Sequence, residues 1–138
     1  MIQDALSTVE TLHATVDALN EVVEAEAHFA RAAAEIADEL SVEQSQLVYT
    51  VEMQAQDKTG PLAGLAKTSK AYGAALDVLW AKECSNGGAA GKLTAKLKQA
   101  QRDLDDAKVE RQQLQNKLSA LRHVSDLQTA ILNALGGA

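Results

Sequence analysis

The sequence predicts an all-α fold, an elongated antiparallel helical bundle or coiled coil of three to four helices with a helical hairpin around residues 61–135. Three observations carry this reading. Leu93, Leu97, Ala100, Leu104, Ala107, Leu114, Leu118 and Leu121 recur at alternating steps of four and three, the spacing of a coiled-coil seam, with Arg111 in the one seam position that is not apolar. Ala, Leu, Gln, Glu and Lys abound, Pro61 is the only proline, and Phe29, Tyr49, Tyr72 and Trp80 are the only aromatics. That mixture favours helix and leaves a sheet without its usual packing material. Charge is divided along the chain: residues 1–58 hold twelve acids against Arg31 and Lys58, whereas residues 92–138 hold eight Lys and Arg against five acids. Oppositely charged helices lying side by side select each other's orientation.

At 138 residues the chain suits one domain. Its first segment, residues 1–56, is marked by Ile2, Leu6, Val9, Leu12, Val16, Leu19 and Val23 at steps of three and four, continued by Ala27, Ala30, Ala33, Ile36 and Leu40. The Ala-rich stretch from Ala25 to Ala37 lets a neighbouring helix approach closely. Ser41 with Gln44 is a candidate capping box, so the segment is either one helix or a helix kinked there. The polar run Gln56, Asp57, Lys58, Thr59, Gly60 stops it.

Pro61 suits the first turn of a helix over residues 61–84, because its missing N–H would be unpaired there anyway. Leu62, Leu65, Ser69, Tyr72, Leu76 and Leu79 form its seam, widened by Ala66, Gly73 and Trp80. Residues 85–91, with Asn86 and three glycines, predict a loop, and a coiled-coil helix follows over residues 92–135. Past Leu121 the strict seam positions are Ser125 and Gln128, but the apolar residues are Val124, Leu127, Ile131 and Ala134. The seam is therefore expected to shift by three residues, a stammer, where the partner helix changes. Gly136 and Gly137 end the helix.

The residues point away from catalysis. Glu10-x-x-His13 has the spacing of helical di-iron sites, but His28 and His123 have Ala25 and Ala120 where a second carboxylate is required, so no metal is expected. Gly91-Lys92 follows a glycine-rich loop, yet Asn86 stands for the first glycine of a phosphate loop and Leu93 for its Ser or Thr. Cys84 alone excludes an internal disulfide and has no histidine near it in sequence. No enzyme activity and no cofactor are expected. Without a leader-like start or a long apolar run, the protein is expected to be soluble and cytoplasmic.

Two surfaces remain as candidates. Val124, Leu127, Ile131 and Leu135, beyond the stammer, are the candidate protein-interaction face. Lys82, Lys92, Lys96, Lys98 and Arg102 are brought towards one end by the hairpin and are a candidate anionic surface, worth about 1 kcal/mol per residue beside anionic lipid. Nucleic acid is not expected, since the patch lacks stacking aromatics and the whole chain is acidic. Helices of unequal length leave apolar seam uncovered in a monomer, which predicts a homodimer.

The run Glu24-Ala-Glu-Ala-His-Phe-Ala-Arg-Ala-Ala-Ala-Glu-Ile-Ala-Asp-Glu-Leu40, the Gly60-Pro61-Leu62 opening of a second helix and the Leu93–Leu121 coiled coil together resemble BAR-superfamily domains, including the sorting-nexin and F-BAR branches, over about residues 5–120. The resemblance implies a crescent-shaped dimer associated with membranes. Three functions follow for comparison: a non-catalytic scaffold that dimerises and binds a protein partner through helical seams, a BAR-like peripheral membrane module, and a small helical chaperone or adaptor that masks a partner's amphipathic helix.

Overall fold

A computed structural model describes residues 2–85 and 87–136. They form an all-α helical bundle of three helices, α1 (Ile2–Gln56), α2 (Lys70–Ser85) and α3 (Ala89–Gly136), with no strand among the described residues. Asn86 and Gly137, named above in the loop and at the helix end, lie outside the described residues. The chain divides into two compact units, residues 1–30 with 102–138 and residues 31–101, and both long helices contribute to each.

In the first unit the start of α1 runs antiparallel to the end of α3: Val23, Ala27 and Ala30 share a groove with Leu104, Lys108 and Arg111. The α3 seam is the one read from the sequence, with Ala107 and Leu118 buried and Leu104, Leu114 and Leu121 half-buried. Arg111, the charged seam position, is held there by Glu26 of α1, its Nε donating to Oε2 at 2.6 Å. A guanidinium can occupy a seam when a carboxylate takes its charge.

The α1 seam is a correction. The residues turned inward are Ala5, Thr8, Leu12, Thr15, Leu19, Val22, Glu26 and Phe29, again at steps of three and four, while Ile2, Leu6, Val9, Val16 and Val23 are exposed. Threonine can enter this seam because its hydroxyl is satisfied along its own helix. Thr8, Thr11 and Thr15 donate to the carbonyls of Asp4, Ser7 and Thr11 at 2.9, 2.9 and 2.7 Å, which leaves their methyl groups for packing. Thr15 is 3% exposed.

The second unit is built on Val51 of α1, Leu62 and Tyr72, with Leu47, Ala55, Ala75, Leu76 and Leu79 packed around them. α1 runs through Ser41 without a break, and the Ser41 hydroxyl bonds back to Ala37 O at 3.2 Å instead of capping a new helix. At its C-terminus Thr59 N–H closes on Gln54 O at 2.8 Å, and Lys58 takes the left-handed conformation (φ 59°) that more often falls to glycine.

The helix expected over 61–84 begins nine residues later, at Lys70. Residues 61–69 form successive turns instead, closed by Leu65 N–H to Leu62 O at 3.1 Å and Ser69 N–H to Ala66 O at 2.9 Å. Gly64 at φ 79° is incompatible with a helix through this stretch. Ser69, not Pro61, opens α2: its Oγ accepts the Tyr72 backbone N–H at 3.1 Å, an N-cap. Leu62 is nevertheless fully buried, so the turns are pinned to the core by one side chain. The broad buried face is correspondingly narrower than expected, with Leu65, Ala66 and Gly73 exposed.

The loop expected over 85–91 is also shorter, since α3 starts at Ala89. Lys92 N–H bonds to Gly88 O at 3.0 Å, so Gly91 and Lys92 already lie in the first turn. Gly91 lets the two helices meet closely: a Cβ there would sit 3.0 Å from the Cys84 carbonyl oxygen.

Candidate interaction site

Beyond Leu121 the seam does not shift. Ser125, Gln128 and Leu132 continue it, half-buried, at steps of four, three and four. Val124, Leu127, Ile131 and Leu135 lie outside it, 42%, 52%, 48% and 64% exposed. The expected stammer is therefore absent: α3 is one continuous helix from Ala89 to Gly136 and carries the register of Leu114, Leu118 and Leu121 on through Ser125 and Gln128. The consequence is an inversion of hydrophobicity at this end of the unit. Polar Ser125 and Gln128 face inward, and Gln128 Oε1 is buried with no hydrogen-bond partner in the protein, while branched apolar residues face out.

α1 repeats the pattern. Ile2, Leu6, Val9, Val16 and Val23, with His13 and Asn20 at the intervening steps, make a second heptad stripe one residue out of phase with the buried one. α1 thus carries two heptad stripes and buries one, and α3 carries a short exposed stripe near its C-terminal end. Burial alone distinguishes the two α1 stripes, because both have the period that a sequence search detects. A signal for the buried α1 face does exist in the chain, in Thr8, Leu12, Thr15, Leu19 and Val22, once threonine is counted as apolar.

The lysines separate differently. Lys82, Lys92, Lys96 and Lys98 are exposed in the second unit, whereas Arg102, also exposed, belongs to the first. Lys82 lines a groove with Leu47, Leu79, Glu83 and Gly88, so a carboxylate shares its surroundings. Another surface in this unit is lined by Ser41, Val42, Ser45, Gln46, Tyr49 and Thr50, all from α1. A lining drawn from one helix is an open face and encloses nothing.

No three His, Cys, Asp or Glu side chains come together to hold a metal among the described residues, and His13 of the Glu10-x-x-His13 pair is exposed. Cys84 is half-buried and unpaired in any disulfide. Tyr72 is a perturbed acid. Burial, the hydrogen bond its hydroxyl donates to Glu52 Oε1 at 3.1 Å and the Glu52 charge all raise its pKa above the ordinary 10.0. The Tyr72 side chain packs in the core of the second unit, against Val51 and Leu62. No helix among the described residues is long and apolar enough to cross a membrane.

Comparison with family models, with curated proteins and with solved structures finds no match.

Proposed function

We propose that this protein is a non-catalytic helical interaction protein that dimerises through the outer stripe of α3 and binds a protein partner on its helices. The observation that carries the reading is the outward placement of Val124, Leu127, Ile131 and Leu135 beside an inward Gln128. A sequence that held α1 and α3 alone would gain by exchanging these faces. Keeping branched apolar residues outside is understandable if another helix covers them.

A second copy fits the α3 stripe because the stripe carries no charge between Val124 and Leu135. In antiparallel self-pairing, Leu127 of one chain lies across from Ile131 of the other and no like charges are opposed. Sedimentation equilibrium of the full chain tests this. A dimer at micromolar concentration that becomes a monomer on Leu127→Lys or Ile131→Lys, with helicity by circular dichroism unchanged, supports the proposal. A wild-type chain that stays monomeric to about 100 µM, or a dimer indifferent to both substitutions, rejects it.

A further inference from the structure

The outer stripe of α1 carries a second inference, deepening the proposal above by assigning the partner's chemistry. Leu6, Val9, Val16 and Val23 are exposed along one side of the helix and lead into a groove of Val23, Ala27, Ala30 and Leu104, with Lys108 and the Glu26–Arg111 pair, whose charges answer each other, beside them. Alanine on that lining allows a helix backbone to come close. Beside the stripe, one flank is a single column of exposed acids seven residues apart, Glu10, Asp17 and Glu24. No Lys or Arg occurs between Ile2 and Ala30 to answer them on this helix.

We infer that this face binds a basic amphipathic helix of another protein, with leucine-like residues on the stripe and Lys or Arg against the acid column. Flanking charges choose the partner of a helical seam more than they choose its strength. A second copy is disfavoured here, because antiparallel self-pairing of α1 sets the acid column against itself. The basic stretch of α3 from Lys92 to Lys98 does not serve either, since its apolar residues Leu93 and Leu97 are already turned inward. An anionic lipid surface meets the same repulsion as a second α1.

The test uses the full chain and two synthetic 21-residue heptad peptides of equal length and leucine content, one with lysine on its flanks and one with glutamate, titrated by fluorescence anisotropy. The lysine peptide is expected to bind at least about tenfold more tightly, because each flank lysine meets an acid that a glutamate would oppose. The triple variant Glu10→Lys, Asp17→Lys, Glu24→Lys should reverse that preference, and Leu6→Ser with Val16→Ser should abolish binding of both peptides. Equal binding of the two peptides, no reversal in the triple variant, or lysine-peptide binding that survives loss of Leu6 and Val16 overturns the inference. So does a self-association that depends on Leu6 and Val16. Ile131→Lys should leave peptide binding unchanged while removing the dimer, so failure at α3 and failure at α1 are read apart.

Discussion

Replacing Gln128 by leucine should stabilise the chain, although it removes a polar residue from a highly charged helix. Gln128 occupies a seam position and its Oε1 is buried without a partner in the protein. Leaving such an acceptor unpaired costs about 1–3 kcal/mol. Leucine is close to glutamine in size, so repacking should cost less than about 1.5 kcal/mol, and the half-buried site returns about 1 kcal/mol of apolar burial. The expected net gain is about 1–2 kcal/mol, a rise in melting temperature of about 3–8 °C. Urea unfolding followed by circular dichroism, at a concentration where the chain is monomeric, measures it. The companion variant is Ile131→Gln, which alters a side chain already 48% exposed and should cost less than about 1 kcal/mol. If α3 instead turned after Leu121 to pack Val124 and Ile131 inward, the ranking would invert. Ile131→Gln would then cost about 2–5 kcal/mol and Gln128→Leu would do nothing, and that result refutes the placement of the seam.

Other substitutions probe each unit separately. Arg111→Ala should cost about 1–2 kcal/mol by leaving Glu26 without its 2.6 Å partner, and a double-mutant cycle with Glu26→Gln should recover most of that loss as coupling. Leu62→Ala, truncating a fully buried side chain, should cost about 2–5 kcal/mol in urea unfolding. Lys58→Gly should stabilise by about 0.5–1 kcal/mol, because glycine adopts the left-handed conformation at the end of α1 without strain; a lower melting temperature would contradict the φ of 59°. Tyr72 supplies a pH dependence. Its folded-state pKa lies above the unfolded 10.0, so its contribution to stability is complete below pH 10 and is lost as the pH rises through the raised value. Alkaline unfolding of Tyr72→Phe should therefore depend less steeply on pH above 10 than that of the parent chain.

The helical class, the α3 seam through Leu121 and the reversal near Gly87 and Gly88 were legible because each rests on a local property, heptad spacing or glycine content. The start of α2 was not. Pro61 and Leu62 look like a helix opening, and only the left-handed Gly64 and the Ser69 cap show why the chain turns twice before committing to helix. The candidate protein-interaction residues Val124, Leu127, Ile131 and Leu135 were visible as a stripe that departs from the seam, but not as an exposed one.

What the sequence determined by itself is that α1 and α3 are helices with apolar residues at coiled-coil spacing, since period is a property of one chain segment. It left open which of two overlapping stripes is buried, because Ile2–Val23 and Ala5–Phe29 share the same period one residue apart. Tertiary structure decided that. A helix pair has one register at a time, and here it is held by Leu114, Leu118 and Leu121, by threonine hydroxyls satisfied within α1 and by the Arg111–Glu26 pair. Once those contacts set the rotation of each helix, Val124 and Val16 had to face outward, whatever their own preference for the interior.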